Sequence, residues 1–334
     1  MDTVTTQVLI CDDSALARKQ MARALPKEWK TNVTFATNGA EGLEAIRQGK
    51  GEVVFLDLNM PVMDGYEVLE QIQQHDLPAM VIVVSSDIQL KAHQKVKALG
   101  AIDFIQKPFS PDTVRMLLLE YGLMTPSASA QPVAETPMLK VNLRDACQEI
   151  ANIAMGRAAE LLAKLLDVFV LLPVPNVNVL ETSELIMMLK SVEQHQSSAL
   201  CQGFISAGVA GEALLMFHDG SYDDMAKLMG LSNPKDPDTE IEVLMDTGNV
   251  LISAFLNGVF EQLDMDFSQA HPVVLGSQCN IADLLQDKSD SWQRTLAMEI
   301  NYRIEDYHIQ CDLLLLFTED SIPTLTDKLS YLLD

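Results

Sequence analysis

A chain of 334 residues with 48% hydrophobic side chains has room for two domains with their own cores and is too apolar for wholesale disorder. Its net charge of −24 is uneven: residues 1–124 carry 12 basic and 16 acidic side chains, a balance of −4, and residues 125–334 carry 11 basic and 31 acidic, a balance of −20. So acidic a C-terminal part repels phosphate backbones, which argues against nucleic-acid binding and makes protein partners the expectation.

The first 124 residues alternate short apolar runs with amphipathic stretches: Val8–Ile10 then Ser14–Leu25, Val33–Phe35 then Ala40–Arg47, Val53–Leu56 then Gly65–Gln73, Met80–Val84 then Gln89–Leu99, Ile102–Ile105 then Pro111–Tyr121. These read as five βα units. Runs of consecutive Val, Ile, Leu and Phe indicate strands covered on both faces, hence an α/β doubly wound parallel sheet. Function gathers at the carboxyl ends of such strands. Those ends carry Asp12 and Asp13, Asp57, Ser85, and Lys107-Pro108. Single aspartates there are commonly turn or cap residues, but together these polar positions fall on one rim. Three carboxylates facing one lysine call for a hard divalent ion such as Mg²⁺.

The segments Ile10-Cys11-Asp12-Asp13-Ser14, Phe55-Leu56-Asp57-Leu58-Asn59-Met60-Pro61-Val62-Met63-Asp64-Gly65, Val84-Ser85-Ser86 and Lys107-Pro108-Phe109 resemble the receiver domain of bacterial response regulators, the CheY-like family, over residues 5–123. The resemblance implies a five-stranded sheet of order 2-1-3-4-5 with Asp57 as the phosphoacceptor. Asp13, Asp57 and the backbone carbonyl of Asn59 would bind Mg²⁺ directly, and Asp12 partly through water. It further implies that Ser85 and Lys107 contact the phosphoryl group, that Phe104 is the switch aromatic, here without the hydroxyl of a tyrosine, and that the Lys107-Pro108 bond is cis. A histidine kinase or another phosphodonor is the implied partner.

Residues 125–139 hold three prolines among small polar side chains and show no periodicity, which reads as a flexible linker between a domain over 1–124 and another over 140–334. Beyond it, Leu143, Ala146, Ile150, Ile153, Ala154, Ala158, Leu161 and Leu165 have helical spacing and form an apolar face. Asp145, Glu149 and Asn152 form a separate polar stripe on that helix. The pattern Asp145-x3-Glu149-x2-Asn152-x22-Pro175 returns 97 residues later as Glu242-x3-Asp246-x2-Asn249-x22-Pro272, on a helix from about Glu240 to Gly258. Ala213–Phe217 also echoes Leu313–Phe317, at an offset of 100. Two half repeats, about 140–232 and 236–334, predict an α+β domain with internal pseudo-twofold symmetry.

This spacing is similar to that of the CheC/FliY/CheX phosphatases, which remove phosphate from CheY-like receivers. The resemblance implies that Glu149 engages the receiver lysine and that Asn152 positions a water in line with the aspartyl phosphate. Pro175 and Pro272 would be structural. Asp246 stands where the family has glutamate, so Asp246 with Asn249 would form a second, weaker site. Glu149 and Asn152 are expected to project side by side from an exposed ridge.

The five cysteines are scattered without a C-x-x-C pair, and the six histidines lack metal-ligand spacing, so buried free thiols are expected, with neither a zinc site nor histidine-centred catalysis. No apolar run approaches the roughly 18 residues of a membrane span, and Met1-Asp2-Thr3 has no signal-peptide character, so a cytoplasmic location is expected. Two functions fit: a chemotaxis hydrolase whose own receiver tunes it and which acts on phosphorylated CheY-type regulators in trans, and also in cis, or a non-catalytic adaptor controlled by phosphorylation that docks on chemotaxis or flagellar partners.

Overall fold

The computed structural model describes residues 5–124, 141–193, 196–218, 220–231, 236–275 and 294–333. By its contacts the chain divides into two compact units, Met1–Glu149 and Ile150–Leu332. The boundary falls inside one helix, so the first unit takes in that helix's opening turns.

In the first unit, β1 (Thr6–Cys11), β2 (Thr31–Ala36), β3 (Val53–Leu56), β4 (Met80–Ser85) and β5 (Asp103–Gln106) pair in parallel in the order β2-β1-β3-β4-β5. This is the predicted doubly wound sheet. Alternate residues of the central strands serve two cores: Val8, Ile10, Val53, Phe55, Ile82 and Val84 fill one, and Leu9, Cys11, Val54, Leu56, Val81 and Val83 the other. Each such side chain contributes roughly 1.5–3 kcal/mol on burial, so both faces must be covered. The covering helices are α1 (Ala15–Ala24), α2 (Gly39–Arg47), α3 (Gly65–Gln74), α4 (Leu90–Ala98) and α5 (Pro111–Glu120). Ser14, read as helical, is instead the N-cap of α1, and Asp64 with Glu67 closes a capping box at α3.

The second unit is an antiparallel sheet with helices. It holds the rest of α6 (Leu143–Leu166), then β6 (Val170–Leu171), β7 (Asn176–Glu181), α7 (Thr182–Glu193), β8 (Gln196–Ser206), β9 (Val209–His218), α8 (Ser221–Leu228), α9 (Pro237–Gln262), β10 (Phe267–Gln269), β11 (Val273–Leu275), β12 (Arg294–Ile304), β13 (Gln310–Phe317) and α10 (Ser321–Leu333). The central strands β9 and β13 pair with Leu214 directly opposite Leu314. Those two residues are equivalent at the offset of 100, so the pseudo-twofold axis passes between them.

The flanking strands exchange sides. β6 and β7, from the first half, pair with β12 of the second, while β10 and β11, from the second half, pair with β8 of the first. Neither half can complete its sheet alone. Pro175 and Pro272 stand immediately before β7 and β11, where a residue without an N–H ends the approach to a pairing strand at no cost to the ladder.

Two helix readings are corrected. α9 starts at Pro237, capped by Asp236, and continues to Gln262, beyond the expected Glu240–Gly258. Its stretch Asp238–Gln262 is long and apolar enough to cross a membrane by length and composition, contrary to the expectation that no such run exists, and most of its apolar part is buried inside the protein. In α6, Leu161 and Leu165 are exposed although placed on the apolar face, while Ala151, Met155, Ala159 and Leu162 are buried. The small side chains let neighbours close in around most of the helix. Cys11, Cys147 and Cys311 are buried free thiols, Cys201 is half-buried and donates to Glu212 Oε2 at 3.4 Å, and Cys279 lies outside the described residues.

Close packing of α6 on α9 rests on Gly258: a Cβ added there would lie 2.8 Å from Ala154 Cα. Gln262 Nε2 also donates to Ile150 O at 3.1 Å. Alanine is better than glycine in a helix by up to about 1 kcal/mol, but overpacking a core costs about 1–3 kcal/mol. Gly258→Ala is therefore expected to destabilise the chain by about 1–2 kcal/mol in urea unfolding, and a gain in stability would contradict the close crossing. At Val62 the argument reverses. This β-branched residue is exposed in the loop after β3 with φ of 71°, a left-handed conformation costing roughly 1–3 kcal/mol. Val62→Gly is expected to stabilise by about 1 kcal/mol, read in the same way.

Candidate functional site

Four carboxylates of the first unit gather around one ammonium. Lys107, buried after β5, places Nζ 2.7 Å from Asp12 Oδ2, 3.2 Å from Asp57 Oδ1 and 3.4 Å from Glu149 Oε1. The fourth carboxylate is Asp13, and one oxygen from each of Asp12, Asp13 and Asp57 lies within 4.8 Å of the others. The sheet explains the meeting: β1, β3 and β5 are parallel, so residues following each strand reach the same rim.

Local hydrogen bonds fix each group. Ser14 N donates to Asp12 Oδ1 at 2.8 Å, Asn59 N donates to Asp57 Oδ2 at 3.0 Å, and Asp57 N donates to Cys11 O at 2.9 Å. Lys107 N donates to Ser85 O at 2.9 Å, and the Lys107-Pro108 peptide is cis, as the resemblance implies. Gly65 seals the loop after Asp57, since a Cβ there would come within 2.3 Å of Asp57 O. Only glycine allows α3 to start so near the acceptor strand.

The charge balance is unfavourable as it stands. Burial, reinforced by Asp12, pushes Asp13 up to about 7. Burial also holds Asp57 well above the ordinary carboxylate range, against the pull of Lys107, and raises Glu149. For Lys107, burial disfavours the ammonium, but the carboxylates of Asp12, Asp57 and Glu149 outweigh it and hold the group well above its usual value. Asp13 Oδ1 is buried without a hydrogen-bond partner, and Asp57 Oδ1 has no hydrogen bond beside its ion pair with Lys107. Three carboxylates, Asp12, Asp13 and Asp57, sharing one ammonium and offering oxygen donors only, are the chemistry of a hard divalent cation.

Other expected residues are placed as follows. Ser85 is fully buried, and its Oγ accepts from Asp87 N at 3.2 Å. Phe104 is half-buried, its ring centroid 3.8 Å from that of His93. Glu149 and Asn152 are each 2% exposed, so the expectation of an exposed ridge fails for this pair. Glu149 is enclosed through its contact with Lys107, and Asn152 Oδ1 is buried without a partner. Asp145 contributes to the start of α6, where its N–H donates to Asn142 Oδ1 at 3.0 Å and its carboxylate accepts from Asn142 N. On α9 of the second unit Asp246 and Asn249 are both exposed.

Two further residues border the cluster or its switch serine without any motif marking them. Asp87 is buried and accepts from Gln89 N and Gln89 Nε2, and burial pushes it up to about 6. Its position two residues after Ser85 was a visible signal. Gln148 Nε2 donates to Asp13 Oδ2 at 3.1 Å. A single helical glutamine has no spacing that announces such a contact.

Residues 8–118 match the family model of the response regulator receiver domain. The protein-glutamate methylesterase/protein-glutamine glutaminase of Geobacillus kaustophilus is 41% identical over 110 residues, covering 32% of this chain and 31% of that protein. The protein of the same description from Symbiobacterium thermophilum is 34% identical over 162 residues, covering 48% of this chain and 43% of that one. The chain thus spans less than half the length of these curated relatives. Among solved structures, the response regulator domain of Thermotoga maritima CheB shows 30% identity and a TM-score of 0.32, covering 37% of this chain and all of that one. Thermotoga maritima FliY shows 17% identity and a TM-score of 0.41, covering 60% of this chain and 99% of that one. With the sheet order and the acidic rim, the family match makes residues 8–118 a response regulator receiver domain of two-component signalling.

Proposed function

We propose that this chain both accepts a phosphoryl group on Asp57 and hydrolyses aspartyl phosphate, through Glu149 and Asn152 of α6. The observation that carries this reading is the shared ammonium: Lys107 Nζ lies 3.2 Å from Asp57 Oδ1 and 3.4 Å from Glu149 Oε1. The carboxylate of a phosphatase-like motif is thereby joined to the acceptor through one lysine.

In the first step an Asp57 oxygen attacks phosphorus of a histidine kinase's phosphohistidine or of another phosphodonor; the P–O bond forms as the donor's bond to phosphorus breaks. Asp12, Asp13, Asp57 and the Asn59 carbonyl would hold Mg²⁺, which supplies neutralisation of charge on the transferring group. Lys107 offers a second positive centre on the same side, and Ser85 a hydroxyl to the phosphoryl oxygens. In the second step, on a phosphorylated CheY-type regulator, a water oxygen attacks phosphorus and the aspartyl carboxylate leaves, giving inorganic phosphate. Glu149 would engage that regulator's lysine as it engages Lys107 here. Asn152 can donate to and accept from the water without ionising, so its contribution is alignment. Asp246 and Asn249, exposed on α9, would serve a separate phosphorylated CheY-type regulator, more weakly because aspartate is one methylene shorter than glutamate.

The test adds the full chain to a separately phosphorylated CheY-type receiver freed of its donor and follows phosphate release. Asn152→Ala should slow it by about 100-fold, the scale of a misaligned reactant, and Asn249→Ala by much less. If parent and Asn152→Ala release phosphate equally, at the rate of spontaneous hydrolysis, the chain is a phosphorylation-controlled adaptor. Chelation gives a separate expectation: with EDTA in excess, Asp57 takes up no phosphoryl group, and added Mg²⁺ restores uptake, as intact-mass measurement would read. Equal labelling in EDTA would remove the divalent ion from the reading.

A further inference from the structure

We propose that Gln148 is a positioning residue of the divalent-ion site, orienting Asp13 so that one of its oxygens is left to face the acidic cluster. The proposal rests on the reading of that cluster as a cation site. Each of the other two acids is fixed by donors of its own: Asp12 by Ser14 N and Lys107 Nζ, and Asp57 by Asn59 N. Asp13 is held from α6, where Gln148 Nε2 donates to Oδ2 at 3.1 Å. The other oxygen, Asp13 Oδ1, is buried and has no hydrogen-bond partner. One oxygen tied and one left bare is the arrangement in which an outer hydrogen bond sets the direction of a metal-binding carboxylate.

The chemistry of the amide suits this task better than a charged donor would. A lysine at position 148 would neutralise Asp13 and compete with the cation. The amide of Gln148 fixes the same oxygen, stays neutral at any pH the protein meets, and leaves the cluster's charge deficit for the ion. Gln148 also precedes Glu149 on the first turns of α6, so neighbouring residues grip two members of the cluster, Asp13 and Lys107. Occupancy of the ion site and the seating of that turn are then linked, and by reciprocity whatever unseats the turn weakens the ion.

Isothermal titration of Mg²⁺ into the metal-stripped full chain tests the assignment without reference to activity. Gln148→Met, which keeps the shape and loses the donor, and Gln148→Ala are each expected to weaken Mg²⁺ binding by about 10- to 100-fold, the usual effect of losing such an outer partner. Thermal melting in EDTA should stay close to that of the parent chain. An affinity equal to or tighter than the parent's in both variants overturns the proposal, as does a lowered melting temperature with unchanged Mg²⁺ affinity, which would make Gln148 merely structural. If the parent chain itself takes up no Mg²⁺, the reading of the pocket as a cation site falls first and takes this assignment with it.

Discussion

One ammonium stands among acids that outnumber it. Lys107 is 3% exposed and reaches Asp12, Asp57 and Glu149 within 3.4 Å, with Asp13 close by. Breaking a buried ion pair by removing one partner typically costs about 3–5 kcal/mol, and here the loss would leave several acids facing one another. The remaining geometry of the first unit serves this requirement. Parallel β1, β3 and β5 deliver their polar ends to one rim, two apolar cores hold those strands from both sides, and Gly65 admits α3 close to Asp57. Such a cluster is stable enough to exist and negative enough to draw in a cation or a phosphoryl group accompanied by one.

In the second unit the governing constraint is topological. Because β6 and β7 complete the sheet at β12 while β10 and β11 complete it at β8, the two halves of the repeat are interlocked. Equivalent residues Leu214 and Leu314 meet across the axis. Similar sequence halves can therefore diverge at their surfaces without coming apart, since each half holds the other's edge. Gly258 against Ala154 adds a contact between the long helices that tolerates no extra side chain.

Much of this was legible in the sequence, for physical reasons that differ by element. The buried strands announce themselves because covering both faces demands consecutive apolar residues, as in Val53–Leu56 and Val81–Val84. The rim residues followed from strand order once those runs were placed. Less was legible where several contacts, or none of fixed spacing, decide the outcome. Leu161 and Leu165 fit the helical period yet are exposed, because periodicity gives a face and not what packs on it. Strands of two or three residues such as β6 and β10 carry too little pattern to reveal that they cross to the opposite half. Gln148 was silent for the same reason, since its meaning lies in a partner 135 positions away.

The two copies of the helical motif show what duplication leaves open. They share spacing and a following proline placed just before a strand, which the fold explains through the common position of β7 and β11. They do not share environment: Glu149 and Asn152 are buried, whereas Asp246 and Asn249 are exposed. A buried carboxylate is costly unless a cation answers it, and Lys107 answers Glu149. An exposed aspartate has no such requirement, because water solvates it. The two acidic positions at which the copies differ, Glu242 for Asp145 and Asp246 for Glu149, are both exposed in the second copy, where gaining or losing a methylene costs least.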